Sequence, residues 1–281
     1  MQDRFSCADF TFPLLPHPEV FDLIKLLGIH AVDLGIFEGR SALTPSLIAG
    51  HGAGPSAQAL KQALDARGMR ASDVFLQTGA EPPAGAVNDP AKATRERNRE
   101  WFRHLLDFTN ALGCTHLTGL PGVEQDALGP EDSWKLATGE TAWRVESASN
   151  TGLTYAIEPH VGSICPEPDA ARRFVEAVPG LTLTLDPGHF IYQDIGEASW
   201  WQLCPHTSHV HLRGGAPGRL QTPMSENRID FARLIRELRA SAYTGFLCTE
   251  YVYVDWEGCN RTDNVSETLL LKQQAAEALQ A

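Results

Sequence analysis

Long apolar runs are missing from this 281-residue chain: no stretch approaches the roughly 18 to 20 consecutive apolar residues that a membrane-spanning helix requires. Its opening, MQDRFSCADF, has no basic segment followed by an apolar one, so neither a secretory leader nor a membrane partner is expected. Positive charge is also scarce. The 23 lysines and arginines face 35 aspartates and glutamates, and the net charge of −12 disfavours nucleic acid, which is held by cationic side chains. The six cysteines (Cys7, Cys114, Cys165, Cys204, Cys248 and Cys259) include no CxxC pair. That spacing argues against a disulfide framework or a structural zinc site and suits reduced thiols in the cytoplasm. The GAGPSA stretch at 52–57 lacks the spacing and the lysine of a phosphate loop, and reads as a turn before the second helix.

What is present is a globular composition, 43% apolar and 21% charged, in a length close to that of one closed α/β barrel. Short β-branched or apolar runs recur near 4–10, 30–36, 70–77, 114–120, 153–158, 181–186, 207–213 and 245–250. Helical spacing lies between them. Val20, Leu23, Ile24 and Leu27 repeat at i, i+3, i+4, i+7 after Pro18, and Phe231, Leu234, Ile235 and Leu238 do so after Asp230, a helix N-cap. Glycines stand where helices should stop, at Gly28, Gly68, Gly113, Gly152 and Gly180. Strict alternation demands a parallel sheet, and eight units without a linker predict a single (β/α)8 barrel domain over 1–281. The loop-like stretches 78–91 and 213–228 would then lie at its C-terminal mouth, where sites of this fold form.

Period-2 alternation indicates which strand residues face the lumen. In LTLTLD the leucines should meet the helices, which turns Asp186 inward. The same reading sends His209, His211 and Arg213 inward from SHVHLR, Phe246, Cys248 and Glu250 from FLCTE, and Ala156 and Glu158 from TYAIE. Three carboxylates gathered in a partly dry cavity repel one another unless a cation neutralises them. A divalent metal resolves the conflict, and three carboxylates with one imidazole make an oxygen-rich set that suits manganese first, with magnesium, cobalt or zinc as alternatives. His189, three residues after Asp186, is placed as a substrate contact, not a further ligand. His209 reads as a support to the ligands or as a core histidine, and His116 as packing.

EPH after the fifth strand, LDPGH at the sixth, HVH at the seventh and TEY at the eighth occur in an order that resembles the xylose isomerase-like TIM-barrel superfamily. The likeness is greatest to its sugar phosphate isomerase/epimerase group. The resemblance implies Glu158, Asp186, His211 and Glu250 as the metal ligands, with His189 and an arginine after the seventh strand on the substrate. In ketose 3-epimerases that arginine follows a short acidic stretch. Here the chain reads HLRGGAPGR, which leaves Arg213 and Arg219 both open.

The function expected is isomerisation or epimerisation of a sugar or polyol-ketone. Glu158 and Glu250, on opposite walls, would move a proton through a metal-stabilised enediolate. Dehydration of an inosose or dehydroshikimate-like substrate shares the first half of that chemistry. Cleavage of a C-glycoside, with a small partner chain, is a third reading, and a non-catalytic sugar-binding barrel would require a broken ligand set. The superfamily's abasic-site endonucleases use extra histidines that strands one to three here do not supply. Homo-oligomers are common among the enzymes resembled.

Overall fold

The computed structural model describes residues 4–280. Met1–Asp3 and Ala281, the ends of the span read as one barrel, lie outside them. Eight parallel strands close on themselves in sequence order: β1 (Phe5–Ala8), β2 (Ala31–Phe37), β3 (Arg70–Gln77), β4 (His116–Gly119), β5 (Thr154–Ile157), β6 (Thr182–Leu185), β7 (Thr207–Leu212) and β8 (Leu247–Thr249). The fold is a (β/α)8 TIM barrel, as the alternation predicts. Around the barrel run α1 (His17–Leu26), α2 (Pro45–His51), α3 (Ala53–Asp65), α4 (Lys92–Leu112), α5 (Gly129–Ser149), α6 (Pro168–Ala177), the short α7 (Gly188–Tyr192), α8 (Phe231–Ala240) and α9 (Asn264–Gln280). Among the described residues, no helix is long and apolar enough to cross a membrane.

Local chemistry accounts for the boundaries. Asp230 accepts from Arg233 N at 2.9 Å and so caps α8, whose Phe231, Leu234, Ile235 and Leu238 are all buried in the hydrophobic core. Each such side chain contributes about 1.5–3 kcal/mol of transfer free energy. The left-handed turn that ends α4 sits on Gly113, at φ +80°, a conformation that a Cβ would strain. The other four glycines expected at helix ends share a positive φ.

Two local expectations need correction. Of the GAGPSA stretch, only Gly52 lies between α2 and α3; residues 53–57 begin α3, because Gly52 at φ +89° reverses the chain within one residue. After β6, no full helix forms. Pro187, Gly196 and Pro205 leave only α7 and two 3-10 turns, and the buried Trp200 packs there against Trp201 and Phe190.

Two bulges set the inward face. The β2–β3 register passes over Ser72, and the β6–β7 register runs from Leu183↔Thr207 directly to Thr184↔His209, passing over Ser208. The lumen is polar below the mouth. Thr118 and Thr184 hydrogen-bond across it at 2.7 Å, and His116 joins Asp73 at 2.6 Å to Ser208 Oγ at 2.7 Å.

Candidate metal centre and substrate cleft

Four neighbouring strands deliver the site. Glu158, Asp186 and Glu250 follow β5, β6 and β8, His211 lies within β7, and none of the four is more than 5% exposed. His211 Nδ1 stands 2.6 Å from Glu158 Oε1 and 3.3 Å from Glu250 Oε1, so the two glutamates flank one imidazole. Arg213 is also buried. One of its terminal nitrogens donates to Asp186, with Glu250 Oε2 at 3.4 Å and His189 Nε2 at 3.1 Å. His189, in the first turn of α7, lies 3.5 Å from Asp186 Oδ2. The Gly188 N–H donates to Asp186 Oδ1 at 2.7 Å and fixes that carboxylate. Glycine is required for this approach, since a Cβ at position 188 would lie 2.9 Å from Asp186 Oδ1 and 3.3 Å from Arg213 Nε.

Burial opposes charge on all these groups, and their partners decide the outcome. For Glu158, the charge and hydrogen bond of His211, helped by His189 and Arg213, outweigh burial and hold the carboxyl at about 2. Glu250 has the longer contact with His211. Burial prevails there and lifts it to about 8, with Glu158 and Asp186 adding to the rise. His211 itself is driven well above the ordinary imidazole value despite burial, by the charges of Glu250 and Glu158 and by Asp33. Burial lowers His189 to about 4, which leaves it a neutral imidazole at pH 7.

Two overlapping groups of side chains could each hold a divalent cation. Glu158, His211 and Glu250 each bring a donor atom within 4.8 Å of the others, and Glu158, Asp186 and His189 do the same. Glu250 Oε2 is buried with no hydrogen-bond partner among the described residues. Its nearest cation is the Arg213 guanidinium at 3.4 Å, which leaves it able to accept a further donor or a cation. Glu158, Asp186, His211 through Nδ1, and Glu250, with His189 beside Asp186, are therefore residues that could hold a metal.

Of the two candidate arginines, only Arg213 reaches the site. Arg219 is corrected: it lies on the surface, 54% exposed, and pairs with Glu226, because the Ala216↔Arg219 bridge turns this loop back outside the mouth. His209 lies one layer below the ligands, with Nε2 2.5 Å from Asp33 Oδ2. The same Asp33 oxygen is 3.5 Å from His211 Nε2, and Ser72 Oγ donates to Asp33 Oδ1 at 2.5 Å. Asp33 was not among the residues singled out from sequence, although alternation along AVDLGIF points it inward. His160, of the EPH motif, was missed too. It is 4% exposed at the cleft wall, with Nδ1 2.8 Å from Val161 O and Nε2 without a partner among the described residues.

A cleft opens from these groups toward solvent. Glu158, His189, Arg213 and Glu250 line it, with Trp256 near the His189 ring, and Phe10, Phe37 and Phe75 line it as well.

The model of the xylose isomerase-like TIM barrel family matches residues 21–274. The chain belongs to that family. No curated protein matches it in sequence. Among solved structures it is similar to D-allulose 3-epimerase from Methylomonas sp. in complex with D-allulose, at 16% identity over 99% of this chain and 96% of that one, TM-score 0.73. It is also similar to the probable 3-DHS dehydratase AsbF from Bacillus anthracis, at 12% identity over 96% and 97% of the two chains, TM-score 0.69. A xylose isomerase-like TIM barrel protein from Mycobacterium smegmatis in complex with magnesium aligns at 16% identity over 94% and 90%, TM-score 0.69.

Proposed function

We propose that this family member is a divalent-metal-dependent isomerase or epimerase of a sugar or polyol-ketone. The observation that carries the reading is the convergence of three buried carboxyl groups, Glu158 and Glu250 on His211 and Asp186 on Arg213, with one oxygen of Glu250 lacking a hydrogen bond, at the floor of an open cleft. Glu158, Asp186, His211 and Glu250 hold the ion, with manganese first in expectation and magnesium, cobalt or zinc as alternatives. When bound, the ion supplies Lewis acidity toward a substrate carbonyl.

The chain's own residues do the rest. Glu158 and Glu250 remove a proton from carbon and return it to carbon, through an enediolate. His189, a neutral imidazole, and Arg213 hydrogen-bond the substrate oxygens and draw electron density from the carbonyl. The buried cleft floor keeps bulk water from the carbanion-like species. The likeness to a dehydratase favours a second reading, in which the same proton abstraction is followed by loss of a β-hydroxyl. We place the enzyme in the cytoplasm, as a single barrel domain that acts on a small molecule and can assemble into homo-oligomers.

The test is deuterium incorporation from D₂O into a panel of ketoses and inososes, with Glu158→Gln and Glu250→Gln alongside the parent. Loss of exchange in both variants while metal content is retained supports the proposal. Full exchange in the two variants sinks it, and a product lighter by one water selects dehydration.

A further inference from the structure

We propose that a second cation site, of zinc type, lies inside the barrel one layer below the centre described above, formed by Asp33 of β2, His209 and His211 of β7 and Cys248 of β8. It goes beyond the proposed function, because it uses none of the carboxylates of the upper centre and takes His211 by the opposite ring nitrogen.

All four side chains are buried, none more than 1% exposed, and each offers a donor atom within 4.8 Å of the other three. Asp33 Oδ2 stands 3.5 Å from His211 Nε2 and 2.5 Å from His209 Nε2. Ligands held at about 2.0–2.3 Å around a tetrahedral ion lie roughly 3.3–3.6 Å from one another, so the first pair already has ligand spacing. A proton shared by the second pair draws it closer, and an ion in its place would part those atoms by about 0.8 Å. Cys248 is level with His211 across the β7–β8 ladder and so points into the same lumen.

His211 Nε2 is buried, has no hydrogen-bond partner among the described residues and is aimed at Asp33. A lone pair left this way is open to a cation. Ser72 Oγ donates to Asp33 Oδ1 at 2.5 Å, which turns Oδ2 toward the imidazoles as a support behind a ligand would. Charge balances as well: Cys248 releases its thiol proton on ligation, and one thiolate with one carboxylate neutralises a divalent ion where net charge would be costly. Sulfur, two imidazoles and a single carboxylate suit zinc, in contrast to the oxygen-rich upper set. Four protein ligands leave no position for a substrate, so the ion would tie β2, β7 and β8 together and fix the ring of His211. With ions on both nitrogens, that ring releases its remaining N–H proton and bridges them as imidazolate. No CxxC spacing announces such a site, because its ligands come from three strands that meet only in the closed barrel.

Titration of the metal-stripped full chain with Co²⁺ tests the site. Cobalt reports a sulfur ligand through a charge-transfer band in the near ultraviolet, and only the lower site has one. The parent should show the band, excess Mg²⁺ should leave it, and Zn²⁺ should erase it. Cys248→Ser and His209→Gln, with circular dichroism matching the parent, should lose it. Glu158→Gln, which damages only the upper centre, should keep it, as should Cys7→Ser, whose thiol lies in the hydrophobic core beside Thr11. Cobalt bound by the parent without the band overturns the lower site and leaves the proposed function intact. A band that survives in Cys248→Ser overturns the ligand assignment, and one lost in Glu158→Gln overturns the separation of the two sites.

Discussion

Arg213 hydrogen-bonds Asp186 from the adjacent strand end, so a tethered cation already lies among the three carboxylates. A metal ion bound as proposed would therefore compete with this guanidinium for overlapping partners. Replacing Arg213 with Met should destabilise the metal-free protein by about 3–5 kcal/mol, the cost of breaking a buried pair. Added Mn²⁺ should recover more stability in the variant than in the parent. Urea unfolding with and without metal measures both, and equal metal gains in the two proteins would show that the ion and Arg213 do not share carboxylates.

Asp33 faces Nε2 of His211 while Nδ1 faces the glutamates, which makes it the group that orients the imidazole. Partners of this kind typically alter metal affinity by about 10- to 100-fold. Asp33→Asn should weaken Mn²⁺ binding by that order, measured by calorimetry on protein whose circular dichroism matches the parent. Unchanged affinity would assign Asp33 to the fold alone.

All six cysteines are unpaired and buried. Burial pushes the thiols of Cys7, Cys165 and Cys204 up to about 12 and raises the other three as well. Between the ordinary thiol value of 9.0 and these raised values, the folded state holds protons that the unfolded chain has released. Stability should therefore fall as pH rises past 9, by up to about 1.4 kcal/mol per thiol per pH unit. Denaturant unfolding at pH 8 and pH 10 tests the sign. At pH 8 a thiol-reactive dye should label the native protein slowly and all six sites once it is unfolded.

Asp230→Ala removes the side-chain cap of α8 and should cost about 1 kcal/mol, seen as a lower urea midpoint with an unchanged slope. A loss below about 0.3 kcal/mol would mean that water replaces the cap at no cost.

The barrel was legible because its signals are local and repeated. Alternation in LTLTLD, SHVHLR and FLCTE reports side-chain direction, and glycines mark the helix ends. The same rule applied to β2 would have found Asp33, but a carboxylate in mid-strand carries no motif to attract notice. The choice between Arg213 and Arg219 was not legible, since it depends on how a Gly/Pro-rich loop turns, and alternation ends where the strand does. The missing helix after β6 was hidden for a related reason: two prolines and two glycines there interrupt a segment whose apolar residues still pack.

The bulge at Ser208 determines what length changes β7 can tolerate. With one extra residue between Thr207 and His209, Ser208 and His209 both turn into the lumen, and His209, His211 and Arg213 keep step with Thr184. Loss of Ser208 would leave that phase intact and forfeit only the hydroxyl shared by His116 and Thr182. One further residue inserted after it would send all three basic side chains toward the helices, emptying the centre without altering any residue that forms it. Evolution can thus shorten this strand at the price of a hydrogen bond, but cannot lengthen it there without losing the site.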